Sequence, residues 1–362
     1  MFYRRAGIRH TSYEAASRVV SIPFERRLLW AVLLLAVAAP VWLPDLYFSG
    51  YLLPWIIWSA AALSLNVLMG WAGQVHLGFA SVMAVGAYAS VHLVRAGVPF
   101  ELALVGAGLV SALVGAVFGV PAVRVKGLYL AVSTLALQYV VDWLLVHVPA
   151  ISGGAQATLQ VPAPRLLGWE LGSDTGRYYL ALGWCVAVTL FILNLRRTAL
   201  GRAFAAVREK DYAAEVLGVN TYYYKALAFW ISSFLGGVTG AVLAFAYYRA
   251  ITPEQFSLDV SIQVAAMVIT GGLISVVGSY FGAGFILLAP VFLDRVVRAG
   301  TALLHIEAPT NTLAQLPLVF YGALIVGFLL IEPLGLAKVY DNVRNYFLVW
   351  PFGYARKSGF GR

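Results

Sequence analysis

Two glycine-rich stretches carry the polar groups best spaced for chemistry. The first reads Gly70-Trp71-Ala72-Gly73-Gln74-Val75-His76-Leu77-Gly78 and runs on to Gly86-Ala87-Tyr88; the second holds Gly271-Gly272, Gly278 and Gly282-Ala283-Gly284. Both lie where long apolar runs meet. Glycine costs about 1 kcal/mol per helical position relative to alanine, so its concentration there needs a reason. Either it lets helices approach closely, or it lets a helix break where the freed backbone groups line a cavity. Broken helices in both halves of a membrane protein point to a solute path. Such a path would use Gly70, Gly73, Gln74, His76, Gly78, Gly271 and Gly272, with the Gln74 amide able to donate and accept hydrogen bonds. Close packing alone stands as the other reading of each glycine.

Other chemistries are excluded by what the residues lack. Catalysis needs convergent titratable groups. The five histidines, His10, His76, His92, His147 and His305, are dispersed, and no HExxH, nucleophile elbow or paired intramembrane carboxylate accompanies them. A phosphate-cradling loop needs Gly-Lys-[Ser/Thr], and none of the five lysines follows a glycine. If the chain works with ATP, another polypeptide binds it. The single Cys185 lies in an apolar run, where it reads as a packing residue without a disulfide or metal role. An ion-driven carrier places charge in mid-membrane, and these spans are nearly neutral. Asp142 is the exception, roughly 9 Å inside one end of its segment; an interfacial, hydrated carboxylate and a solute-contacting group both fit it.

The elements that must position these residues are membrane spans. Of 362 residues 61% are hydrophobic and 11% charged, where a soluble domain carries about 25% charged residues. About 18 apolar residues span a bilayer. Ten such segments fall at roughly 28–44, 51–70, 76–95, 100–120, 128–148, 178–195, 226–249, 260–273, 276–297 and 313–332. The expected fold is an all-α polytopic integral membrane protein of about ten transmembrane helices, some of them broken. A cytoplasmic segment over 1–27, a transmembrane domain over 28–332 and a cytoplasmic tail over 333–362 follow from that reading.

Positive charge sets orientation. With the N-terminus cytoplasmic, 19 of the 25 Lys and Arg fall inside, and Arg95, Arg165, Arg177, Arg249, Arg295 and Arg298 fall outside. Both ends are therefore expected in the cytoplasm, and the net charge of +9 reports topology rather than nucleic acid. The first apolar segment is expected to be retained, because the charged leader before it reaches residue 27 and contains Glu14 and Glu25. The longest outer gap, 149–177, is rich in turn formers such as Ser152-Gly153-Gly154, Pro162 and Pro164. It reads equally as a lip for a docking partner and as a plain connection.

The inner loop 196–225 has a different pattern. Leu200, Phe204, Val207 and Ala214 recur at helical spacing, and Gly218 is a natural C-terminal stop with Asn220 close behind. One or two short amphipathic helices are expected. The mixed signs of Arg208, Glu209, Lys210, Asp211 and Glu215 suit a protein partner better than a headgroup layer.

At these stretches the chain resembles the permease subunits of branched-chain amino-acid ABC importers, in the subfamily with a long outer loop and an extended C-terminal tail. Over about residues 50–340 the resemblance is carried by Leu65-Asn66-Val67-Leu68-Met69-Gly70-Trp71-Ala72-Gly73-Gln74, by Lys126-Gly127-Leu128-Tyr129-Leu130-Ala131 with Thr134-Leu135, and by Ser152-Gly153-Gly154. Gly201-Arg202, Ala213-Ala214-Glu215-Val216-Leu217-Gly218, Gly271-Gly272 and Pro333-Leu334-Gly335-Leu336 complete it. Order and spacing make these pieces specific together.

The resemblance implies an ABC-importer permease fold in a bacterial inner membrane. It implies a second homologous permease subunit, two cytoplasmic ATP-binding subunits that use ATP and Mg, and an extracytoplasmic solute-binding protein. The chain itself is then no enzyme and binds no cofactor. It also implies that Asn66 joins the path around Gly73-Gln74. Gly201, Arg202, Ala206, Arg208, Ala213, Ala214, Glu215 and Gly218 would form the segment that docks on the ATPase.

Three places depart from the family pattern. Gln74-Val75-His76-Leu77-Gly78-Phe79 stands where Gln-x-Ser-x-Gly-His is usual, Ala157 where a third glycine is common, and Glu332 where a basic residue is. The first departure touches the path, and relatives serve urea, short amides and organic acids as well as amino acids. A stand-alone carrier or channel for a small neutral solute is the alternative.

Overall fold

The computed structural model describes residues 23–122, 128–154, 157–166, 168–304 and 335–349, with a few positions between 322 and 330. Helices occupy nine of the ten expected segments: α1 (Pro23–Trp42), α2 (Phe48–Trp71), α3 (Phe79–Arg95), α4 (Phe100–Ala122), α5 (Leu128–His147), α6 (Asp174–Leu195), α9 (Thr221–Tyr248), α10 (Leu258–Gly271) and α11 (Val276–Leu304). Between α6 and α9 lie the short helices α7 (Ala199–Glu209) and α8 (Asp211–Val216), and α12 (Leu336–Val349) closes the described chain. The tenth expected segment, 313–332, lies almost wholly outside the described residues, as do 1–22 and 350–362. Among the described residues six helices, α2, α4, α5, α6, α9 and α11, are long and apolar enough to cross a membrane.

Several helices begin before their apolar run. Ser173 accepts from the Gly176 N–H at 3.1 Å and starts α6, while Asn220 accepts from the Tyr223 N–H at 3.0 Å and starts α9. Asn220, expected to help end α8, instead caps the next helix, because a short polar side chain satisfies the orphan N–H groups of a first turn.

Small residues decide the centre. A Cβ on Gly86 of α3 would lie 2.0 Å from the Gly237 carbonyl of α9, and one on Gly240 of α9 would lie 2.0 Å from the Met83 carbonyl. On α4, Gly115 meets the Ser233 hydroxyl in the same way. With backbones this close, α3, α4 and α9 gain dispersion contact and weak polar contacts that lipid cannot supply. Ser232 adds a hydrogen bond to the Ser64 carbonyl of α2 at 2.9 Å. Consequently α2 and α9 are buried along most of their length, while α4, α5, α6 and α11 each keep a face outward.

One large core runs through α2, α3, α6, α9 and α10 around Phe48, Phe79, Tyr178, Phe245 and Phe256. A second, smaller core sits at one end of the bundle and joins Val67, Leu68, Trp71, Ile192, Phe204 and Phe229. At the opposite end, β1 (Leu159–Gln160) pairs antiparallel with β4 (Ala250–Ile251), and β2 (Arg165–Leu166) pairs with β3 (Trp169–Glu170). Arg95 donates to the Gln160 carbonyl at 2.6 Å, and Asp174 takes both Arg249 and Arg177. The long loop is thus pinned to the 249–251 turn, which holds Arg249 at φ +60. The start of α1 and α12 share an end of the bundle, since Arg344 Nε lies 2.6 Å from Glu25 Oε1.

Candidate functional site

The two glycine-rich junctions meet in space. The last turns of α2, Val67–Trp71, widen into π-type geometry; such bulges are frequent at functional sites. There the chain presses on the 272–275 turn. Asn66 is buried and brackets it: its amide donates to the Ser275 carbonyl at 3.2 Å and to the Ser279 hydroxyl at 2.9 Å, and its Oδ1 accepts from the Ile274 N–H at 3.1 Å. The Trp71 indole donates to the Ile274 carbonyl at 3.1 Å. Gly70 is required because a Cβ would lie 2.7 Å from the Ile274 nitrogen. Ile274 itself sits at φ +73, a conformation strained for a β-branched residue, so this bracket holds the turn in a costly shape. Asn66, Gly70 and the turn after Gly271-Gly272 are therefore in direct contact.

The rest of the first junction is an irregular loop, 72–78, carried into the protein interior. Backbone at such depth must find partners, and it does. The Gln74 N–H bonds the Leu68 carbonyl at 3.1 Å, Leu77 N–H the Thr134 hydroxyl at 3.0 Å, and Gly78 N–H the His76 Nδ1 at 3.1 Å. Ala80 N–H then bonds Ser261 Oγ at 2.7 Å and Ser81 N–H bonds Gln138 Oε1 at 3.0 Å. Gly78 approaches α5 so closely that a Cβ would lie 2.2 Å from the Thr134 carbonyl.

Gln138 is the hub that sequence reasoning missed. Fully buried, it also donates to the Phe256 carbonyl at 2.8 Å and to Asp142 at 2.9 Å, and accepts from Ser261 at 2.9 Å. It ties α3, α5, α10 and the 253–256 turn together. An amide about ten residues, or roughly 15 Å, into an apolar helix was the available signal. Asp142, half-buried, is thereby engaged by a neighbour on its own helix.

His76 lies wholly inside, its ring 5.5 Å from that of Phe229 and 6.1 Å from that of Phe79. Because Nδ1 accepts from Gly78, Nε2 carries the proton, and it has no hydrogen-bond partner. Gln74 turns its amide back onto the Ala72 carbonyl at 3.1 Å.

Gly73, the remaining glycine of the first junction, faces the short helices. Gly73 adopts φ +66, and a Cβ there would lie 3.1 Å from Arg208 Cγ on α7. Phe204 and Val207 of α7 are buried, Phe204 in the same small core as Val67 and Trp71. Thr198 caps α7 by accepting from the Gly201 N–H at 3.4 Å, and Gly201 fits a turn in which a Cβ would lie 2.5 Å from the Leu195 carbonyl. Arg202 donates to the Arg197 carbonyl at 3.2 Å, while Ala206 is half-buried. In α8, Ala214 is buried and Ala213 exposed; Glu215 accepts from Thr221 at 2.5 Å, and Asp211 pairs with the buried Lys225 at 2.5 Å. Gly218 ends α8 at φ +84, as expected. Tyr212, Val216 and Leu217 are left largely exposed. A cleft of about 390 Å³ separates Ala72–Val75 from Val207–Tyr212. In the sequence these residues fall into an expected path and an expected coupling segment; the fold makes them neighbours.

The chain is similar to known permease proteins. The high-affinity branched-chain amino acid transport system permease protein LivM of Salmonella typhimurium is 34% identical over 262 residues, 66% of this chain and 60% of that protein. LivM of Escherichia coli K12 is 33% identical over the same shares. The nucleoside ABC transporter permease protein NupC of Lactococcus lactis is 26% identical over 71% of this chain and 84% of its own length. The matched part thus spans about three fifths of each LivM protein. No solved structure matches the chain. Residues 47–329, which hold both junctions and both short helices, match the branched-chain amino acid transport system permease component, and the chain belongs to that family.

Proposed function

We propose that the chain is the transmembrane permease subunit of an ABC importer that moves branched-chain amino acids, or related small polar solutes such as urea, amides or organic acids, inward by ATP-driven alternating access. One observation carries this: α7, which with α8 forms the segment that the resemblance gives to ATPase docking, is rooted through Phe204 in the same small core as the broken end of α2, with Arg208 seated on Gly73. A push on that pair is delivered to the loop between α2 and α3 without an intermediary. The exposed Tyr212, Val216 and Leu217 supply an apolar face for a protein partner.

In this reading the ATP-binding subunits close on ATP, draw on α7–α8, and the two permeases rock between outward-open and inward-open states. The Leu77 and Gly78 donors at the end of loop 72–78 are covered by Thr134 and His76, and the Ala80 and Ser81 donors of the first turn of α3 by Ser261 and Gln138, which supports a sealed state of the path. Release of those bonds would expose N–H groups to a solute carboxylate. An extracytoplasmic binding protein selects the solute, and the charge split of the loops supports placing both ends of the chain in the cytoplasm.

Co-purification of the tagged chain from its native membrane, followed by mass spectrometry, tests the assembly. Two ATP-binding subunits and a homologous permease are expected. Recovery of the chain alone as a transport-competent oligomer would favour a stand-alone carrier or channel instead.

A further inference from the structure

Beyond the contact of Arg208 with Gly73, the loop Ala72–Val75 and the segment Val207–Tyr212 leave a space between them. The cleft between them, about 390 Å³, falls in the range of small-molecule sites, about 300–1,000 Å³. Its walls are of three kinds: Val75, Leu130 and Val207 give aliphatic surface, Arg208, Lys210 and Lys225 give positive charge, and Glu209 and Asp211 give negative charge. Lys225 is already neutralised by Asp211 at 2.5 Å.

Arg208 is not satisfied. Its Nη1 is buried and has no hydrogen-bond partner. Its stem is packed on Gly73, with Cγ 3.1 Å from where a Cβ would stand, so the side chain is held in place from behind. Buried donors almost always have acceptors, and an exception asks for a cause, a bound group among them. A planar guanidinium matches a carboxylate best.

We propose that this cleft binds a small aliphatic zwitterion, with its carboxylate on Arg208, its hydrocarbon on Val75, Leu130 and Val207, and its ammonium toward Glu209. The proposal rests on the reading of the chain as an amino-acid permease and deepens it. Solute leaving the path is held between the path loop and the docking helices. When it accumulates on that side it occupies the cleft again, pins loop 72–75 against α7, and slows further transport.

Val75 is 39% exposed and the single cysteine of the chain, Cys185, is buried, so Val75→Cys is a selective reporter. In the assembled complex in nanodiscs, L-leucine at about ten times its Kd should slow maleimide labelling of that thiol about tenfold. Isovalerate, with the carboxylate and hydrocarbon but no amine, should protect in part; isoamylamine, without a carboxylate, should not. Adding Arg208→Met should abolish protection while labelling persists, and Arg208→Lys should keep some of it.

Equal labelling with and without leucine, or equal protection in Arg208→Met, would overturn the proposal. So would labelling that docked ATP-binding subunits block and leucine does not, because the missing acceptor would then belong to the partner. ATP-driven leucine uptake is read on the same preparation. Uptake without protection sinks the cleft site and leaves the importer reading standing; protection without uptake supports the site and removes that reading.

Discussion

At the first junction, residues 72–78, glycine serves a loop; at the second, residues 271–282, it serves the crossing of two helices. Gly73 needs its positive φ, and Gly78 lets the loop pass against α5. The N–H groups of Leu77, Gly78, Ala80 and Ser81 are each taken by a side chain from another helix or from the loop itself. At the second junction the polar contacts gather on the 272–275 turn, and the glycines themselves meet backbone. A Cβ on Gly271 would lie 2.2 Å from the Gly278 carbonyl, and one on Gly282 would lie 1.9 Å from the Met267 carbonyl. Here the glycines let α10 and α11 touch backbone to backbone, and Asn66 fastens their turn to α2. Similar composition therefore has two causes: at one junction glycine admits an irregular loop held by side-chain hydrogen bonds, and at the other it admits backbone contact between two helices.

The comparison can be broken by substitutions ranked by expected effect. Gly271→Leu should be worst, because overpacking costs about 1–3 kcal/mol even where neighbours can yield, and here the neighbour is backbone. Most of the folded protein should be lost, read as monodisperse yield in detergent; a normal yield would show that the hairpin is loosely packed. Gln138→Leu comes next. It strands the Ser81 N–H and the Phe256 carbonyl, each worth about 1–3 kcal/mol when buried and unpaired, so thermal unfolding should shift down strongly, and less so for Gln138→Glu, which keeps the acceptor.

Ala206→Pro and Glu215→Arg act on α7 and α8. Proline costs about 3 kcal/mol locally in a helix interior, and the arginine loses the Thr221 contact. Both variants should reach the membrane and fail in ATP-coupled uptake; normal uptake in both would remove the docking assignment from α7–α8. The smallest effect should come from Arg165→Ala. Its pair with Glu170 is mostly solvent-exposed, and such pairs contribute about 0–1 kcal/mol, so stability and uptake should both stay near the unaltered protein.

How much of this was legible in the sequence follows from the same contrast. Apolar runs gave the helices and their approximate ends, and failed where Ser173 and Asn220 extend helices into polar sequence. The amphipathic spacing around Phe204 and Val207 foretold α7, and Gly218 foretold the end of α8. That Gly70 would meet Ile274, or Gly73 would meet Arg208, was not legible. Those are contacts between segments far apart in sequence, and glycine advertises that something comes close without saying what. Gln138 could have been found as a lone amide deep in an apolar run, but its four partners come from three other elements and from its own helix.

The link between the docking helices and the path loop is the central claim, and Gly73→Val tests it most directly. At φ +66 an L-residue is strained by about 1–2 kcal/mol, and its branches would press on Arg208. ATP hydrolysis and solute uptake should be measured together on one reconstituted preparation of the complex. The account predicts hydrolysis within about twofold of the unaltered complex and uptake lower by about tenfold, equivalent to about 1.4 kcal/mol of lost coupling. Uptake and hydrolysis both unchanged, or both lost together in a folded complex, would contradict it.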